Sequence, residues 1–179
     1  VSEDDAFLGT VRRSGPAAGH LLDEDTLGHP EFADAFLRYE RARKDGSTWS
    51  ANLLWYGDDL NLGGDDRGES AESSYERGYA WTSLRNAPDA ALQIDSIFGV
   101  GYLQNSREGD VSQPGKVVGA LRDDLDLVTV FANQDYRWGT DSAQYSLGWD
   151  YRYMDASFDT ATTLDIAPAF RGLSNVDRE

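Results

Sequence analysis

The chain contains no cysteine, which excludes a disulfide framework, a thiolate zinc site and a cysteine nucleophile, and leaves the redox compartment open. Cations are also scarce. Sixteen Lys and Arg stand against thirty-two Asp and Glu, for a net charge of -16. Such a charge repels phosphate backbones and anionic membrane surfaces at long range, so no nucleic-acid partner is expected. Long apolar runs are missing too: none approaches the roughly eighteen residues that a membrane-spanning helix needs. Val1 does not open a signal peptide. A transmembrane β-strand needs only about ten alternating residues, so these absences leave a β-barrel open.

What the chain does have is aromatics: five Trp, nine Tyr and seven Phe in a sequence otherwise polar and rich in Gly and Asp. That mixture fits β-structure better than a helical bundle. At 179 residues the length suits one domain.

Residues 1–34 carry Ser14-Gly15-Pro16 and the acidic run Asp23-Glu24-Asp25 with little periodicity. They read as loop, with a short helical turn at 31–35. From Ala35 onward, apolar residues recur at every second position, the spacing of a strand with one greasy face. The purest case is Tyr145, Leu147, Trp149, Tyr151 and Tyr153, interleaved with Ser146, Gly148, Asp150, Arg152 and Met154. A second runs from Leu92 to Tyr102, and a third is Trp49, Ala51, Leu53 and Trp55. With the β-rich segments 35–43, 74–85 and 117–138, six strands are expected.

Connections of two kinds alternate between them. Lys44-Asp45-Gly46-Ser47, Asn86-Ala87-Pro88-Asp89 and Gly139-Thr140-Asp141-Ser142 have the residues of hairpin turns. Asp45, Asp89 and Asp141 thus recur at intervals of 44 and 52 residues, marking a repeated hairpin unit rather than a strict repeat. The stretches 58–73, 106–116 and 155 onward are charged and Gly-rich, and read as long loops.

Short turns at one rim, long loops at the other and aromatics near strand ends (Trp49, Trp55, Tyr102, Trp138, Tyr145, Tyr153) are the habits of an outer-membrane barrel. The expected fold is all-β: antiparallel up-and-down hairpins forming part of a transmembrane β-barrel. Residues 1–34 are then an N-terminal, extracellular loop region, 35–158 the hairpin repeat, and 159–179 a C-terminal loop. Alternation alone does not tell lipid from protein core, so a soluble β-sandwich or barrel stands beside this reading.

Phe36-Leu37-Arg38-Tyr39-Glu40 leads into a hairpin, and Tyr75-Glu76-Arg77-Gly78-Tyr79-Ala80-Trp81 follows a long loop. Later come Leu121-Arg122-Asp123-Asp124, Asn133-Gln134-Asp135-Tyr136-Arg137-Trp138 and Leu147-Gly148-Trp149-Asp150-Tyr151-Arg152. Over residues 27–170 these segments resemble the barrel portion of a TonB-dependent outer-membrane receptor, the class that imports siderophores, haem, cobalamin or saccharides. The resemblance implies a bacterial outer-membrane location and four kinds of partner: outer-membrane lipid, the remainder of the barrel and its plug, an inner-membrane energy-coupling protein and a small-molecule nutrient. The chain departs from the pattern in showing no recognisable plug before Ala35, and six strands do not close a barrel, so a fragment of a larger barrel is expected.

Catalytic signatures are absent: there is no GxSxG elbow, no serine with a histidine placed by sequence to activate it, and no phosphate loop at Gly115-Lys116 or Gly99-Val100-Gly101. No enzyme activity and no cofactor are expected. His20 and His29 lack metal-ligand spacing and read as loop histidines. Asp59-Leu60-Asn61-Leu62-Gly63-Gly64-Asp65-Asp66 has the oxygen spacing of a calcium loop, but Ser70 stands where the bidentate glutamate belongs. It reads as a hydrated acidic loop, as do Asp123-Asp124 and Asp4-Asp5. Asp95, Asp150 and Arg152 would line a lumen. No catalytic or metal residue is assigned, and the ligand-binding residues are unknown.

Two other functions stay open from the sequence. One is a soluble all-β module that stacks Trp and Tyr on sugars and holds calcium in its acidic loops. The other is an outer-membrane or secreted hydrolase, which has no positive support at the residue level.

Overall fold

A computed structural model describes residues 4–14, 29–64, 68–89, 91–113, 116–140 and 142–167. Seven antiparallel strands form one sheet in chain order. They are β1 (Asp4–Arg13), β2 (His29–Ala42), β3 (Thr48–Gly64), β4 (Glu69–Asp89), β5 (Leu92–Gln113), β6 (Val117–Thr140) and β7 (Ala143–Ile166). The expected all-β, up-and-down hairpin architecture is what forms. The sheet is open: among the described residues β1 pairs with β2 alone and β7 with β6 alone.

Strand number and strand length differ from the sequence reading. β1 lies within the stretch read as loop, and β2 begins six residues before Ala35. The short segment Phe7 to Val11 has weak alternation of its own; its strand is templated by a ten-residue ladder to β2. The stretches read as long loops after Asp58, Ser106 and Asp155 continue as strand, so β5, β6 and β7 reach 22, 24 and 24 residues. Charge there does not end the strand, because the side chains reach solvent while the backbone stays in its ladder. Asp59 to Gly64 accordingly runs as the end of β3 rather than as a calcium-type loop, and Asp65 and Asp66 lie outside the described residues.

The turn at 44–47 forms as expected. Arg43 N–H donates to the Ser47 carbonyl at 2.8 Å, Gly46 N–H donates to the Arg43 carbonyl at 3.0 Å, and Gly46 has φ of 80°. The Asp45 carboxylate accepts from the Ser47 hydroxyl at 2.6 Å and the Ser47 amide at 2.9 Å, which lowers its pKa. Asn86 to Asp89, read as a turn, instead forms a bulged end of β4 whose register shifts across Pro88. Proline has no N–H for the ladder, so the bulge falls there.

One register row runs through Thr48, Arg85, Asp95, Asp135 and Gly148. It starts β3, but lies three residues above the start of β5 and five above the start of β7. The hairpin ends are therefore staggered, and the strands lean relative to the line of turns.

Burial alternates along β5 and β6. Even-numbered residues such as Phe98, Val100, Val128 and Val130 are exposed, while most odd-numbered ones are half-buried. The sheet thus curves toward the odd-numbered side of these strands, giving a convex and a concave face. Across the ladders the convex face takes odd residues of β1 to β3, even residues of β4 to β6 and odd residues of β7. No hydrophobic residue among the described ones is buried, so the sheet has no apolar core of its own.

Close approaches lock the central strands in register. A Cβ at Gly78 would run into the Tyr102 ring, and one at Gly101 into the Tyr79 ring. Each tyrosine covers the glycine opposite it, one on each face of the β4–β5 pair.

Candidate functional site

Two zones divide each long strand, and the sequence pattern changes face between them. In the zone nearer the turns the convex face is apolar on every strand. β1 gives Phe7 and Val11, β2 Leu37 and Tyr39, β3 Trp49, Leu53 and Trp55, and β4 Ala80 and Leu84. β5 gives Ile94, Phe98, Val100 and Tyr102, and β6 Val128, Val130, Tyr136 and Trp138. β7 adds Tyr145, Leu147, Trp149, Tyr151 and Tyr153, each exposed. All three cleanly alternating segments of the sequence therefore turn their greasy sides the same way.

Several polar atoms of this band are paired with one another. Near its loop-side margin the Trp55 indole donates to Glu76 at 2.7 Å, and the Tyr102 hydroxyl reaches the same carboxylate. Toward the turns, Gln134 accepts from the Tyr136 hydroxyl at 2.8 Å and the Trp149 indole at 3.3 Å. Its amide donates to Ser96 at 3.0 Å. Trp138 stacks on Tyr145 at 5.9 Å, and Tyr39 meets Trp49 edge-on at 5.6 Å. Aromatic side chains with satisfied polar tips suit a boundary between apolar and wet surroundings.

The concave face of the same zone is mixed, with polar clusters set among Phe36, Leu54, Trp81, Ile97 and Phe131, and with the Phe36 and Trp81 rings 6.2 Å apart. Ser50 bonds Ser83 at 2.6 Å, and the Asn52 amide donates to Ser50 at 3.1 Å. Asp95 accepts from Arg85 at 2.8 Å and from Gln93 at 2.7 Å, with Arg137 at 3.5 Å. Asp34 accepts from Arg12, and Arg38 pairs with Glu40. Asp95, Asp150 and Arg152, the residues expected to line a lumen, all stand on this concave side.

Beyond Val128 on β6 the pattern reverses. The convex face becomes charged: Glu76, Gln104 and Asp126 share one row, Asp59, Ser74, Ser106, Asp124 and Asp159 the next, and Glu72, Glu108 and Arg122 a third. Glu72 faces Glu108 and Asp124 faces Asp159 across the ladder, pairings that cost stability unless each carboxylate has its own donor. Asp124 has two, the Ser106 hydroxyl at 2.5 Å and Arg122 at 2.7 Å, and its pKa is lowered chiefly by the Ser106 hydrogen bond. The concave face here is apolar. Leu103 pairs with Leu127, Leu125 with Phe158, and Leu164 with Gly119. Polar residues interrupt it: Arg107 lies opposite Asp123, Thr160 donates to Asp123 at 3.0 Å, and Asn105 and Thr162 lie opposite Leu125 and Leu121 in the adjoining rows.

The remaining residues singled out in the sequence do not converge. His20 lies outside the described residues, and His29 opens β2. Asp4 and Asp5 belong to β1, where Asp5 accepts from the Tyr39 hydroxyl at 2.9 Å. Sequence reasoning missed the apolar concave wall, although the alternation Leu121, Asp123, Leu125, Leu127 against Arg122, Asp124, Asp126 carried the signal. No protein-family model matches the chain, and no curated protein matches it.

Proposed function

We propose that this chain forms part of the wall of a bacterial outer-membrane β-barrel of the TonB-dependent receptor type, which binds and imports a scarce small-molecule nutrient. The supporting observation is the aromatic and aliphatic band on the convex face of all seven strands, with no described layer packed over it. Water is a poor solvent for such a face, at roughly 25 cal/mol for each Å² left exposed, whereas lipid suits it. The paired indole and phenol tips at its margins correspond to aromatic girdles.

Stagger adds a second support. Five residues of offset over four strand spacings correspond to a lean of roughly 40°, the tilt of strands in closed barrels. The two open edges need further strands, which the rest of a barrel supplies. In this setting the turns face the periplasm and the strand extensions stand outside the cell. The lipid, the remaining barrel and its plug, an inner-membrane energy-coupling protein and the nutrient are the partners of this reading.

Fractionation of cells expressing the whole protein tests it. Recovery in the outer membrane, extraction only by detergent and slower gel migration after boiling are expected. Recovery as a soluble, buffer-stable species would overturn the reading and leave the soluble binding module in its place.

A further inference from the structure

The reversal of polarity along β5, β6 and β7 is not needed to span a membrane. A bilayer takes about ten residues of each tilted strand, yet β6 and β7 are 24 residues long. The eleven or so residues beyond the band run about 35 Å along the strand. If both faces of that extension met only water, both would be expected to be polar. Instead Leu103, Leu125 and Leu127 stand half-buried on the concave side, with Leu121, Phe158 and Leu164 exposed beside them. Large exposed apolar patches mark binding surfaces.

We infer that this concave wall is the ligand-contacting surface, and that its ligand is a small apolar molecule, uncharged or cationic, rather than an anion. The inference rests on the barrel reading and names the substrate class within it. Shape and charge both point this way. Gly109, Gly119 and Ala156 alternate with the leucines and leave a smooth wall that a rigid apolar body can lie against. The row Arg107, Asp123 and Thr160 in its middle offers an orienting contact, with Asn105 and Thr162 in the rows on either side. On the reverse side of the same strands stand Glu108, Asp124, Asp126 and Asp159 with Arg122 among them, and Glu72 and Glu76 lie beside them on β4. Their field attracts cations to this rim and repels anions.

Tetraphenylphosphonium and tetraphenylborate provide the test, being apolar ions of nearly one shape and opposite charge. The whole protein is prepared in outer-membrane vesicles with single cysteines introduced into a chain that has none: Leu121→Cys and Phe158→Cys on the concave wall, and Ala120→Cys and Ser157→Cys on the convex side at the same height. Rates of reaction with a water-soluble maleimide are then compared. At about four times its dissociation constant, the phosphonium should slow the two concave positions about fivefold by mass action. Tetraphenylborate should leave them unchanged, and neither ion should protect the convex positions.

Equal protection by both ions, protection of convex and concave positions alike, or no protection would each overturn the inference. Val130→Cys in the same vesicles separates the two levels. If it is unreactive while the concave wall goes unprotected, the ligand class alone fails; if it reacts as fast as Ser157→Cys, the barrel reading fails with it.

Discussion

Along β6 the convex positions from Trp138 to Val128 are aromatic, aliphatic or internally hydrogen-bonded, whereas Asp126, Asp124 and Arg122 follow on the same side of the same strand. Nothing in the backbone distinguishes the two halves, since the ladder to β5 runs unbroken from Trp138 to Val117. Only the side of the strand carrying the apolar residues changes. Strand formation and choice of solvent are therefore set separately: pairing makes the sheet, and the alternation phase decides which face each stretch can leave exposed.

That separation is broken most severely by placing a charge in the turn-side zone. Ala132→Arg, on the convex face between Val130 and Gln134, should cost about 2–4 kcal/mol if that face meets lipid. Ser157→Arg, on the convex face of the loop-side zone opposite Asp126, should change stability by no more than about 0.5 kcal/mol. Urea titration of the protein refolded in lipid vesicles compares the two. Similar costs at both sites would erase the distinction.

Gly78→Val should have the next largest effect, because the new side chain displaces the Tyr102 ring that lies over the glycine. Overpacking of this kind costs about 1–3 kcal/mol. Gly109→Ala, where the nearest atoms stand at ordinary contact distance, sharpens the contrast by being tolerated in the same titration.

A smaller loss is expected at the β2–β3 turn. Gly46→Ala forces a side chain into left-handed backbone and should cost about 1 kcal/mol, seen as a slower refolding rate.

The smallest effect is a difference in acid response. Asp124 has its pKa lowered in the folded sheet, so its contribution is present above the ordinary carboxylate range and fades as pH falls through the lowered value. Asp124→Asn should flatten that part of the pH profile of unfolding, measured between pH 6 and pH 3 (about the carboxylate range). Asp45 behaves likewise at the opposite end of the sheet, through its Ser47 hydrogen bonds.

The turn-side zone was readable from sequence because one face there is consistently apolar: 145–153, 92–102 and 49–55 all alternate cleanly, and Asp45-Gly46 marks its own turn. The loop-side zone was not, because runs such as Arg122-Asp123-Asp124 look like solvated loop when counted by charge. Their strand character lies in the leucines at 121, 125 and 127, which continue the period of two on the other face. β1 was unreadable for another reason: Phe7 to Val11 is too short to carry a pattern, and its partner lies more than twenty residues away. The site is legible only after pairing, since Leu103, Leu127 and Phe158 come together across three strands.

The most direct test of two solvents on one face is a cysteine scan of the convex positions of β6, from Val118 to Trp138, in outer-membrane vesicles. Reactivity toward a water-soluble maleimide should be high from 118 to 126 and fall sharply between Asp126 and Val128. Uniform reactivity along the strand would contradict the claim that the turn-side half of this face lies in lipid.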